Sequence, residues 1–110
     1  MEIITEFISK STVLIRAFIY EYNVTTEEYE LVDPTTSVKI TIVILDDKKV
    51  DAASMEKCED YDKGVYDYYY NLPSDAVEGW YHGEVVSVDG TESGAKTSIG
   101  QFGFNVERGL

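Results

Sequence analysis

Apolar and polar residues alternate with a period of two along most of this chain, the spacing of half-buried β-strands rather than of helices. From Ser37 to Leu45, Val38, Ile40, Ile42 and Ile44 fall on one face, with Lys39, Thr41, Val43 and Leu45 opposite. This β-branched run predicts a central strand. Residues 64–81 predict a strand, a turn and a second strand. Tyr66, Tyr68, Tyr70 and Leu72 share one face, Val65, Asp67, Tyr69 and Asn71 the other, and Pro73 ends the pairing because it has no N–H to donate. Thr12 to Tyr22 reads as one strand that is apolar on both faces: Val13, Ile15, Ala17 and Ile19 on one, Leu14, Phe18 and Tyr20 around Arg16 on the other. The second face needs a cover from a loop, a neighbouring domain or another subunit.

The remaining strands are shorter or less regular. Ile3 to Ile8 opens the chain before a Ser9-Lys10-Ser11 turn, Trp80 to Val88 ends at Asp89-Gly90, and Ser98 to Val106 places Phe102, Phe104 and Val106 on one face. Asn23 to Tyr29 is polar and acidic, Asp33-Pro34-Thr35-Thr36 is a turn, and Asp46-Asp47-Lys48-Lys49 is expected to close a hairpin. Residues 51–63 hold no periodicity long enough for a stable helix and are expected to be irregular or an edge strand. About seven short strands separated by Gly, Pro and Asp turns predict an all-β fold, an antiparallel β-sandwich, in one domain spanning residues 1–110.

Composition sharpens the exclusions. The 110 residues are 44% hydrophobic and 13% aromatic, enough to fill one core. Nine Lys and Arg against 21 Asp and Glu give a formal charge of −12, which repels phosphate backbones and argues against nucleic acid and anionic membranes. The lone Cys58 forms no intramolecular disulfide, and it sits among Glu56, Glu59 and Asp60, a poor setting for a nucleophilic thiolate. The N-terminus lacks the basic and apolar regions of a signal peptide, so the chain is expected either not to be exported by that route or to be a piece of a longer protein. No window approaches the length of a membrane span.

The stretches Asp33-Pro34-Thr35-Thr36-Ser37-Val38-Lys39-Ile40-Thr41-Ile42, Gly64-Val65-Tyr66-Asp67-Tyr68, Leu72-Pro73-Ser74-Asp75-Ala76, Gly79-Trp80-Tyr81 and Val88-Asp89-Gly90 together resemble the immunoglobulin-like domains of prokaryotic surface and phage proteins, most nearly the macroglobulin second-domain type. The resemblance runs from about Val13 to Val106. It implies an immunoglobulin-like sandwich at a cell surface or in a virion, and no catalytic residues. The family usually has a glycine in the hairpin that Asp46-Asp47-Lys48-Lys49 occupies here.

Candidate chemistry is sparse. His82 is the only histidine, and its place on a strand suits a surface residue better than a triad or a metal site. Asp60-Tyr61-Asp62-Lys63-Gly64 opens like a calcium loop, but Lys63 and Tyr70 stand where the EF-hand pattern needs an acid and a glutamate. A looser rim of Asp46, Asp47, Glu59, Asp60 and Asp62, with Tyr61, Tyr69 or Trp80 as aromatic contacts, is a candidate site for calcium or carbohydrate. Asn23-Val24-Thr25 fits the N-glycosylation acceptor pattern, more simply a chance occurrence. The expected function is a non-enzymatic structural or interaction module without a cofactor. It would pair with itself or an adjacent domain through Leu14, Phe18 and Tyr20, and the alternative is a carbohydrate- or calcium-binding module.

Overall fold

The computed structural model describes residues 1–107; the last three positions of the expected 1–110 domain lie outside them. Ten strands and one 3-10 turn at Glu92–Gly94 make up its regular structure. The strands are β1 (Glu2–Phe7), β2 (Thr12–Phe18), β3 (Tyr20–Asn23), β4 (Glu28–Leu31), β5 (Ser37–Ile44), β6 (Asp47–Ser54), β7 (Glu56–Lys57), β8 (Val65–Asn71), β9 (Gly79–Asp89) and β10 (Lys96–Val106). The all-β expectation holds, with ten strands among the described residues in place of about seven.

Two four-stranded antiparallel sheets, ordered β1-β2-β8-β7 and β10-β9-β5-β6, share one hydrophobic core, and β3 and β4 form a separate two-stranded ribbon. The core follows the period-two faces. Val13, Ile15 and Ala17 of β2 share the core with Val38, Ile40, Ile42 and Ile44 of β5, all buried, and with Tyr81 and Val85 from β9, the neighbour of β5 in its own sheet. As expected, β5 is central, pairing with β6 on one side and β9 on the other. An aromatic group closes one end of the core: Tyr81 stacks on Phe104 with centroids 5.3 Å apart, and Phe7 meets Phe104 edge-on at 6.1 Å. The tyrosine face of β8 turns inward as expected, burying Tyr70 and resting Tyr66 and Tyr68 against the core.

Three local expectations are corrected. The Thr12–Tyr22 strand breaks at Ile19, whose N–H donates to the Gly64 carbonyl at 2.8 Å while its own carbonyl accepts from Val32 N at 2.9 Å. These long-range bonds replace the β2 ladder and send the chain out into the ribbon. The hairpin after β5 turns on Leu45 and Asp46, both in the left-handed region at φ 48° and 64°, so that Asp47, Lys48 and Lys49 already belong to β6. Two left-handed central residues are what a tight hairpin demands, here without the usual glycine. The last strand begins at Lys96 rather than Ser98. Residues 51–63 follow the edge-strand expectation in part: β6 is the outer strand of one sheet, and after Met55 the short β7 becomes the outer strand of the other.

Candidate functional site

Strand direction decides which connections come together. At the Ser37 end of β5 the chain makes three longer ones, besides the one-residue link at Met55: residues 19–36, which include the ribbon, residues 58–64, and residues 90–95. They are tied to one another. Asp33 accepts hydrogen bonds from Lys57 Nζ at 2.7 Å, Gly64 N at 2.7 Å and Tyr66 OH at 3.2 Å. Gly64 sits at φ 80°, and a Cβ there would press on Leu31 and the Val32 amide, so the close approach requires glycine. On the other side Asp89 accepts from Thr35 Oγ1 at 2.7 Å and Thr35 N at 3.2 Å, Thr36 Oγ1 donates to the Gly90 carbonyl, and Lys96 Nζ reaches Glu21 at 2.8 Å.

These contacts move the titration of the groups that make them. Burial alone would raise Asp33, but hydrogen bonds from Lys57, the Gly64 amide and Tyr66 outweigh it and hold the carboxyl below its ordinary value. Burial, with the Asp33 charge beside it, pushes the Tyr66 phenol up to about 12. The Thr35 hydroxyl and amide lower Asp89. The end is therefore a fixed, acidic surface.

The ribbon projects from this surface. Tyr22 and Tyr29 face each other across it with ring centroids 5.2 Å apart, and Asn23 Oδ1 accepts from the amides of Thr25 and Thr26 at its turn. Tyr29 is 71% and Val24 79% exposed. Four glutamates, Glu21, Glu27, Glu28 and Glu30, and no Lys or Arg lie between Tyr20 and Leu31.

Beside this end, the outer face of the first sheet is covered in part from within the chain, while Tyr69 and Ile4 on the same face stay 51% and 43% exposed. Arg16 Nε and Nη2 donate to the two carboxylate oxygens of Asp67 at 2.7 and 2.9 Å, and Nη2 lies 3.5 Å from Cys58 Sγ. The Asp67 hydrogen bond is the chief reason the guanidinium is held still more firmly in its charged form. Tyr61 from the 58–64 connection lies 5.7 Å from the guanidinium and meets Phe18 edge-on at 5.9 Å. Of the covers expected for this face, the chain itself supplies one, a loop.

The candidate residues are dispersed accordingly. Leu14 is buried at 8%, Phe18 is partly covered by Tyr61, and Tyr20 stands apart on the ribbon, so the three do not form one contiguous face. Glu59, Asp60, Tyr61 and Asp62 lie at the three-connection end. Asp46 and Asp47 lie at the opposite end of β5, where Asp47 pairs with Lys49 at 2.7 Å. Trp80, 60% exposed, also lies at that far end, as the second residue of β9. Among the described residues no group of three or more His, Cys, Asp or Glu side chains is placed to hold a metal ion, and no helix is long and apolar enough to cross a membrane. His82 is exposed on β9. Asp33, Arg16 and Asp67, which organise this end of the molecule, gave no signal as a group because they are far apart in sequence.

No family model, curated protein or solved structure matches the chain.

Proposed function

We propose that the protein is a non-enzymatic structural and interaction module of immunoglobulin-like type, working in a cell-surface or virion assembly by contact with an adjacent protein. The observation that carries this reading is the convergence of three connections at one end, fixed by Asp33 and Asp89, with the ribbon presenting Tyr22, Val24 and Tyr29 beyond it. Loops grouped at one end of a sandwich are how such folds build recognition surfaces on a rigid frame. The uniform negative charge of the ribbon suits a partner with a basic surface and opposes a second copy of this acidic chain.

Two features support the immunoglobulin-like reading. The sheet orders β1-β2-β8-β7 and β10-β9-β5-β6 correspond in chain order to the A-B-E-D and G-F-C arrangement of that fold, with β6 as one added strand and the ribbon inserted between B and C. Tyr81, near the start of the strand that corresponds to F, donates its hydroxyl back to the Val77 carbonyl at 2.7 Å, the geometry of a tyrosine corner.

A photocrosslinking residue at Tyr29, with another at Lys10 in the β1–β2 turn at the far end, tests the reading in cells that make the protein. A discrete adduct from position 29 and none from position 10 is expected. No adduct from position 29, or equal labelling from both, contradicts it. Light scattering of the purified chain across a concentration series shows whether the partner is a second copy.

A further inference from the structure

The outer face of the second sheet holds an arrangement that the interaction reading does not use. Trp80, His82 and Glu84 point outward along β9, and Gln101 and Gly103 lie across from Glu84 and His82 on β10. A Cβ on Gly103 would overlap the six-membered ring of Trp80. Only glycine there lets the indole rest against the sheet while 60% of the residue stays exposed. The ring therefore lies over the residue opposite His82, and His82 separates it from a neighbouring depression of about 430 Å³ that Trp80 itself does not line and whose other polar groups are Thr41, Lys48, Glu84 and Gln101. The residue types on this face, an amide, a hydroxyl, an imidazole and one charge of each sign, supply both donors and acceptors with no net charge from Lys48 and Glu84.

We infer that this face is a binding site for a neutral saccharide, with Trp80 as the stacking platform and Gln101, Glu84 and His82 as hydrogen-bonding groups. A pyranose ring offers an apolar C–H face to an indole and hydroxyls at its edge to the polar groups, whereas a purely apolar ligand would bury those groups unpaired. Anionic ligands are disfavoured by the charge of −12, and the Lys48–Glu84 balance gives a cation no local preference. The depression lies at the small end of the roughly 300–1,000 Å³ of ligand sites, suiting one or two sugar units. The inference stands independently of the ribbon end.

Trp80 is the only tryptophan, so the protein's indole emission reports this site alone. The probes are trisaccharides of β-1,4-linked glucose, N-acetylglucosamine, mannose and galactose, titrated to about 20 mM, a range that covers the weak affinities of small ligands. Saturable change in the emission with at least one is expected. Calorimetry with that sugar should show at least a tenfold loss for Trp80→Ala and a smaller loss for Gln101→Ala, while Tyr29→Ser at the far end binds as the native chain does. Both site substitutions are at solvent-facing positions, and circular dichroism checks that each variant is folded. No saturable change with any of the four sugars, or binding that survives in folded Trp80→Ala, overturns the inference.

Discussion

Arg16 and Asp67 face each other directly across the β2–β8 pair and join through two charge-assisted hydrogen bonds of 2.7 and 2.9 Å, with side chains only 20% and 7% exposed. A strand face that alternation marks as surplus is thus occupied at its centre by an ion pair and roofed by Tyr61. Removing one member leaves the other charge partly buried and unpaired. Asp67→Ala should lower unfolding stability by roughly 2–4 kcal/mol, and the double change Arg16→Met with Asp67→Leu should recover much of that loss. Urea titrations of the single and double variants check it, and equal loss in both would contradict a pairing role.

Core substitutions should divide by depth. Ile42 is fully buried on the central strand, so Ile42→Ala should cost about 2–5 kcal/mol by leaving a cavity. Tyr68 is only partly buried at the edge of the core, and Tyr68→Ala should cost clearly less. Thermal melting of the two variants, compared with the parent, measures the order.

The Leu45-Asp46 turn holds two non-glycine residues in the left-handed region, each carrying a conformational cost. Replacing them with Asn-Gly, the pair this turn geometry favours, should stabilise the chain by about 1 kcal/mol. Leu45 is 81% exposed, so little packing is lost in the exchange. An unchanged or lower denaturation midpoint would mean that the hairpin does not adopt this turn in solution.

Stability should fall at both extremes of pH, for opposite reasons. Asp33 and Asp89 have folded values below the unfolded one, so their contribution is complete above about pH 4 and is lost as pH falls through the folded values. Tyr66 is the reverse case. Its folded value of about 12 lies above the unfolded value near 10, so the unfolded chain gives up its proton first and stability declines as pH rises between them. Asp33→Asn should flatten the acid limb and Tyr66→Phe the alkaline limb of a stability profile measured from pH 2 to pH 12.

What the sequence makes legible here is governed by range. The faces Val13/Ile15/Ala17 and Val38/Ile40/Ile42/Ile44 are readable because burial repeats along a single strand, and each prediction needs only neighbours two residues away. The break at Ile19 is not, since the alternation runs on through Tyr20 and the cause is the Gly64 carbonyl, 45 positions later. The acidic rim is divided for a topological reason: Asp46 and Asp47 sit at one end of β5 and Glu59, Asp60 and Asp62 at the other. The seat of Trp80 on Gly103 becomes visible only once the β9–β10 register is known, because an isolated glycine in a strand carries no hint of which ring lies on it. The polar stretch from Asn23 to Tyr29 likewise conceals the hairpin, whose pairing of Tyr22 with Tyr29 spans its turn.

Hydrogen exchange of the free chain, read by mass spectrometry on fragments covering each strand, tests the central claim most directly: a rigid two-sheet frame that presents an uncommitted ribbon. The account predicts slow exchange in β2, β5, β8 and β9, the interior strands, and fast exchange in β3 and β4, because a two-stranded ribbon without a covered face is only marginally stable in water. A ribbon protected as strongly as β5 in the isolated protein would contradict it, since that surface would already be packed and unavailable to a partner.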